Sequence, residues 1–83
     1  MNVDELAVKI REFLRREMGL EGREVAADTP LVTSGLIDSI GLVRLAALLE
    51  TETGITIPDR DIQAENFDSL KKIQAYISSR VPR

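Results

Sequence analysis

The 83-residue sequence contains no cysteine, no histidine and no tryptophan. Without cysteine the chain forms no disulfide and no thiolate metal site. Without histidine it lacks the commonest metal ligand and the commonest general base near neutral pH. No run approaches 18 apolar residues, so we expect no insertion into a membrane. The first residues are acidic and lack the basic start and apolar run of a signal peptide, which favours a cytoplasmic protein.

The charges are unevenly distributed along the chain. The net charge is -3, and the charged residues of 39–69 are mostly acidic, with Arg44 and Arg60 as the two basic ones. Residues 70–83 carry lysines and arginines but no acid, which is typical of a solvated helix face with cations near its C-terminus. A DNA-binding bundle would need a basic stripe on its recognition helix, and the central segment has none. We therefore expect no nucleic-acid partner.

Apolar spacing predicts two long helices separated by a long loop. Apolar residues recur at three- and four-residue steps over 3–18, and Gly19 is expected to end this helix in the left-handed conformation. Residues 19–38 have no helical pattern, and a loop this long is often functional. A second helix is predicted over 39–53, ending at Gly54. The apolar residues expected to pin the loop over the helices are Val25, Leu31, Leu36 and Ile37.

The predicted second helix carries two apolar stripes instead of one. The first stripe faces a core, whereas the second means that the helix is buried on most sides or meets a partner. The first consists of Leu42, Leu45, Ala46 and Leu49, and the second of Ile40, Val43 and Ala47.

The last third of the chain predicts short elements and one further helix. Residues 55–58 have strand-like residues but no second strand to pair with, so an extended linker is expected. One helical turn over 58–62 and a last helix over 69–79 follow, with 81–83 frayed. We therefore expect residues 1–83 to form one all-α domain. The expected architecture is a small four-helix bundle of three main helices and one short helix, with a long first loop.

Ser39 stands where the second helix is expected to begin. Asp38 is a good N-cap, so the simplest interpretation is two cap-type residues starting a helix. Gly41 lies inside the first turn, where glycine costs about 1 kcal/mol relative to alanine, which suggests that something passes close to the backbone there. A catalytic serine would need an adjacent base, and the sequence offers none near Ser39. The sequence therefore predicts that the protein is not an enzyme and holds no metal.

The segment Gly35-Leu36-Ile37-Asp38-Ser39-Ile40-Gly41-Leu42 resembles the phosphopantetheine attachment motif of acyl and peptidyl carrier proteins. The order of the helices, the long loop and the Asn66-Phe67-Asp68-Ser69-Leu70 segment also resemble this family. The resemblance implies that Ser39 bears covalent 4'-phosphopantetheine, with Asp38 as the helix cap beside it. It further implies that the thiol of this group carries an acyl or aminoacyl group between enzymes as a thioester.

The resemblance also implies partners. A phosphopantetheinyl transferase would attach the group, an acyl- or aminoacyl-activating ligase would load it, and a downstream acyltransferase or synthase would receive the cargo. The helix after the serine is the partner-recognition helix of the family. It is usually acidic in fatty-acid-synthesis carriers, whereas this chain has Gly41 and Arg44 in the first turns. The expected docking residues are Ile40, Gly41, Val43, Arg44 and Ala47.

Two matters stay open at this level. The Gly-Leu-Ile-Asp-Ser form is similar to stand-alone carriers of peptide-synthetase-like, polyketide or alanyl-transfer pathways, and a monomer is expected. The alternative is a helical protein-interaction module without a prosthetic group, which would dock through the apolar face of residues 40–47.

Overall fold

The computed structural model describes residues 3–20 and 24–80, with side chains from residue 5 onward. Its longer helices are α1 (Val3–Glu17), α2 (Ser39–Thr53) and α4 (Leu70–Arg80). Between α2 and α4 lie a 3-10 turn at Asp59–Asp61 and a short helix α3 at Ala64–Phe67. These two ranges contain no strand, so the predicted all-α bundle of three main helices and one short helix is confirmed.

The hydrophobic core lies between the three longer helices and is closed by the loop after α1. It is built from the apolar faces that the helical period predicts, because every third or fourth residue of a helix points the same way. The first stripe of α2 is buried as expected. The largest fully buried side chains are those of Phe67, Ile10, Leu14, Leu31, Leu45, Leu49, Leu70 and Ile73.

Glycines end α1 and α2 as the sequence predicts. Gly19 has a φ of 67° and Gly54 a φ of 76°, both in the left-handed region that glycine adopts without steric cost. The Gly54 N–H donates to the Glu50 carbonyl over 2.9 Å, which closes the last turn of α2. The first helix ends at Glu17, one residue before the predicted end.

The loop between α1 and α2 has turns but no helix in its described residues 24–38, as predicted. Leu31 and Ile37 are buried, and the Ile37 N–H donates to the Leu31 carbonyl over 2.9 Å. Val25 and Leu36 are partly buried against the core. The expected apolar anchors therefore do hold the loop on the bundle.

The segment between α2 and α4 differs from the prediction in one respect. Residues 55–58 form no helix or strand, Pro58 has an extended backbone, and Asp59–Asp61 forms the expected short turn. The one short helix was expected at 58–62, and the structure has a second short element after it, α3, which was not predicted because it has only four residues and one buried apolar side chain, Phe67. Such a turn leaves no periodic pattern in the sequence. The predicted fraying at 81–83 lies outside the described residues.

Candidate functional site

Asp38 begins α2 as an N-cap, as the sequence predicts. Its backbone is extended, with φ -94° and ψ -175°, and its carboxylate accepts the Gly41 N–H over 2.7 Å. The Asp38 carbonyl accepts the Leu42 N–H over 2.9 Å, which forms the first helical hydrogen bond. The carboxylate is therefore engaged with the backbone at the positive end of the helix, where an anion is favoured.

Ser39 is the first residue of α2 and is exposed to solvent. Its two chain neighbours, Asp38 and Ile40, are exposed as well, whereas Ile37 is buried with 2 % exposure. The chain therefore leaves the core at Ile37 and presents three consecutive exposed residues at the corner of the molecule. An alcohol in this position is accessible to a large macromolecular partner.

A turn at Gly35 delivers the chain to this corner. Gly35 has a φ of 82°, which favours glycine, and its N–H donates to the Val32 carbonyl over 3.0 Å. The Ser34 hydroxyl donates to the Pro30 carbonyl over 2.6 Å. These bonds are local, so the loop folds back on itself before it enters α2.

Asp68, at the end of α3, holds the same loop from the other side. One carboxylate oxygen accepts the N–H groups of Leu31, Val32 and Thr33 over 3.2, 2.8 and 2.9 Å. The other oxygen accepts the Thr33 hydroxyl over 2.8 Å. The Thr33 N–H, with further help from its hydroxyl and the other two amides, lowers the pKa of Asp68 against the opposing effect of burial.

Asp68 is a supporting residue whose role the sequence analysis missed. Its segment was interpreted only as the start of the last helix. The hydrogen bonds of Asp68 join residues that are 35 to 37 positions apart, so no local sequence pattern predicts them. An acid beside a buried aromatic residue was the only available signal.

Gly41 is buried beneath the side chain of Met18, the residue that follows α1. A Cβ built on Gly41 would lie 2.7 Å from the Met18 Sδ and 3.2 Å from an Asp38 carboxylate oxygen. The expectation that something passes close to this backbone is therefore confirmed, and the group is Met18 of the same chain. The glycine allows the end of α1 to pack closely on the start of α2.

This packing predicts a coupling between Met18 and Gly41. In a Met18→Ala background, Gly41→Ala should stabilise the protein by up to about 1 kcal/mol, because alanine favours the helix and the close neighbour is gone. With Met18 present the gain should be smaller by at least about 0.5 kcal/mol. Urea unfolding of the four proteins measures the coupling. A Leu36→Ala background is the control, in which Gly41→Ala should change the free energy of unfolding as it does in the wild type. If Gly41→Ala had the same effect with and without Met18, the close packing of Met18 on Gly41 would be contradicted.

The second apolar stripe of α2 is exposed. Ile40 is 72 % exposed and Val43 58 % exposed, and Arg44 and Ala47 are exposed beside them. Of the five residues expected to dock a partner, only Gly41 is buried, because Met18 covers it. Of the two explanations offered for this stripe, burial on most sides of the helix is therefore wrong. Contiguous exposed apolar residues at helical spacing are typical of an interaction surface.

A groove of about 390 Å³ adjoins the start of α2. It lies between the end of α1, the Gly35 turn and the first two turns of α2, and both chain neighbours of Ser39 line it. Its other lining residues are Glu17, Met18, Gly35, Leu36, Gly41 and Arg44.

Other kinds of site find little support in the described part of the chain. There, no three acidic residues are placed to hold a metal ion. No described helix has the length and apolar character needed to cross a bilayer. The sequence brings no histidine or cysteine, and the lysines of the chain are remote from Ser39 in sequence. The described residues around Ser39 therefore present an exposed serine at the first position of α2.

Comparison with known proteins agrees with this arrangement. The family described as "Phosphopantetheine attachment site" matches residues 8–77. The chain is 28 % identical to an acyl carrier protein of Treponema pallidum over 79 residues, covering 95 % of this chain and 99 % of that protein. An acyl carrier protein of Solidesulfovibrio magneticus is 32 % identical over 73 residues, with 88 % and 87 % covered. One of Akkermansia muciniphila is 29 % identical over 77 residues, with 93 % and 94 % covered. The chain therefore belongs to the phosphopantetheine attachment family and is a carrier protein similar to acyl carrier proteins, not an enzyme.

Proposed function

We propose that Ser39 is the residue that bears 4'-phosphopantetheine and that residues 1–83 act as one carrier domain. The observation that carries this proposal is the exposed hydroxyl residue at the first position of α2, directly after the Asp38 cap. Other serines are less suited. Ser69 is buried, and the Ser34 and Ser79 hydroxyls donate to backbone carbonyls. Ser78 is exposed but lies near the C-terminal end of α4, where the helix dipole disfavours an attached phosphate.

The surroundings of Ser39 fit a phosphate-linked group. Unpaired N–H groups and the dipole at a helix N-terminus favour a phosphodiester anion. The Asp38 carboxylate opposes a second anion, but its hydrogen bond to the Gly41 N–H turns it onto the backbone. When bound, the group supplies the thiol that this cysteine-free chain lacks and on which a thioester is held. The chain itself positions the Ser39 hydroxyl and keeps it accessible.

Ile40, Val43, Arg44 and Ala47 form the docking surface for partner proteins in this proposal. Their exposure and their spacing along one side of α2 support it. The surface follows Ser39 directly, so a partner bound there can reach the modified residue. The partners are a phosphopantetheinyl transferase, an acyl- or aminoacyl-activating ligase, and an acyltransferase or synthase that receives the cargo.

A narrower assignment follows from the sequence around Ser39. The Gly35-Leu36-Ile37-Asp38-Ser39 segment is similar to that of stand-alone carriers of peptide-synthetase-like, polyketide or alanyl-transfer pathways. Apolar residues and one arginine lie where fatty-acid-synthesis carriers have acids. We infer a cytoplasmic monomer that carries an aminoacyl or other small acyl group for a free-standing ligase.

The test is modification of the full chain by a broad-specificity phosphopantetheinyl transferase and coenzyme A. The intact mass should rise by one phosphopantetheine, and peptide mass spectrometry should place the group on Ser39. Loading by a panel of adenylating enzymes then identifies the cargo. A chain that stays unmodified beside a control carrier that is fully modified would contradict the proposal and favour an interaction module without a prosthetic group.

A further inference from the structure

We infer that Glu17, on α1, sets the charge of the docking surface on α2 by pairing with Arg44, so that partners meet an apolar and electrically neutral surface. The inference rests on the proposed function of that surface. Glu17 lies on a different helix from the docking surface, and the sequence did not indicate a role for it there. The inference also specifies the partner: a protein whose contact area is apolar, with little charge of either sign.

The charge of this surface depends on a single residue of α2. Over residues 39–49 the only charged side chain is Arg44. It lies one turn after Ile40 and one turn before Ala47, next to Val43, and therefore within the stripe that a partner would cover. An unpaired guanidinium there would make the docking surface cationic.

Glu17 cancels that charge. The Arg44 guanidinium donates to the Glu17 carboxylate, and both residues line the groove beside Ser39. The two side chains are 48 % and 45 % exposed, so the pair lies at the surface and both charges would face an approaching partner. Asp38, the nearest acid along the chain, accepts the Gly41 N–H and faces the positive end of α2.

An exposed pair of this kind contributes little to the stability of a fold. Its larger effect is on association, because charges at an interface steer encounter and exclude partners of the same sign. With the pair intact, a strongly basic or strongly acidic partner surface gains little from long-range attraction here. The contact must instead be made by Ile40, Val43, Ala47 and the methylene stem of Arg44.

The experiment compares four proteins: the wild type, Glu17→Gln, Arg44→Gln and the double variant. The reaction is modification of Ser39 by a transferase with a basic docking face, and kcat/KM is measured between about 50 and 500 mM NaCl, where screening becomes strong. Arg44→Gln leaves Glu17 unpaired and should raise kcat/KM at low salt by about threefold or more. Glu17→Gln leaves Arg44 unpaired and should lower it by a similar factor.

Both differences should shrink to less than about twofold at high salt. The double variant restores a neutral surface, so its kcat/KM should change with salt concentration by the same factor as that of the wild type, whatever the loss of the Arg44 stem does to the absolute value. Lys9→Gln, an exposed change of charge two turns earlier in α1, is the control and should move kcat/KM by less than about twofold. Circular dichroism and thermal unfolding confirm that each variant is folded.

If Ser39 is modified but the kcat/KM values of the variants do not follow these directions, the inference is overturned. Two single variants that shift in the same direction, or that both match the wild type, would show that the pair does not set the charge of this surface. This failure is distinct from that of the proposed function, in which Ser39 itself stays unmodified beside a working control carrier.

Discussion

Ser39→Ala should abolish attachment of phosphopantetheine completely. The variant removes the only atom of that side chain able to form the phosphodiester, and it does so at an exposed first helical position. Intact mass after incubation with transferase and coenzyme A should equal that of the unmodified chain. Loading of a thioester should be lost with it, because the cysteine-free chain has no thiol of its own.

The fold should survive this substitution. Alanine is the most favourable residue in a helix, and the cap is made by Asp38 and not by Ser39. The free energy of unfolding should therefore stay within about 0.5 kcal/mol of the wild type. Ser78→Ala, at an exposed position of α4, is the matched control and should be modified as fully as the wild type. A mass gain on the Ser39→Ala chain would refute the assignment and direct attention to another hydroxyl.

Most of the fold could be predicted from local patterns in the sequence. The helical periods of α1 and α2 lie in the sequence as apolar residues at three- and four-residue steps, and glycine marks both stops. The Asp38 cap is likewise a matter of one residue and the amides that follow it. These features were predictable because the interactions that make them join residues at most a few positions apart.

The contacts that surround Ser39 were not predictable in the same way. Met18 over Gly41 and Glu17 beside Arg44 both join the end of α1 to the start of α2, across a loop that separates them in sequence. The glycine showed that some group approaches the backbone, but not which one. The short helix α3 was missed for a different reason, since a single turn is not stable alone and forms only through packing.

Asp68 is the long-range contact with the largest expected effect on stability. Asp68→Ala should lower the free energy of unfolding by about 3 kcal/mol, because three N–H groups and a hydroxyl lose a charged acceptor. In a domain of this size, that loss should lower the midpoint of thermal unfolding by roughly 15 °C. Urea and thermal unfolding measure both. A loss below about 1 kcal/mol would mean that water replaces the carboxylate without cost.

Hydrogen exchange should locate the damage of Asp68→Ala in the loop. The Val32 and Thr33 N–H groups have the carboxylate as their acceptor and should lose protection. The Leu31 N–H also donates to the Asp68 backbone carbonyl over 2.7 Å, a bond that the alanine variant keeps. Leu31 should therefore stay better protected than its two neighbours, and equal loss at all three would indicate general unfolding instead of release of the carboxylate.

The same carboxylate should make stability depend on pH in acid. Hydrogen bonds from the loop lower the folded-state pKa of Asp68 below the value of about 3.9 in an unfolded chain. Its contribution is therefore complete above the unfolded pKa and is lost as the pH falls through the folded pKa. Asp68→Asn cannot titrate, so the difference in unfolding free energy between wild type and variant should shrink steadily from about pH 5 downward. Asp59→Asn, at an exposed position, should differ from the wild type by less than about 0.5 kcal/mol. If the Asp68→Asn difference held constant down to about pH 2, the ionised carboxylate would not be what holds the loop before Ser39 in place.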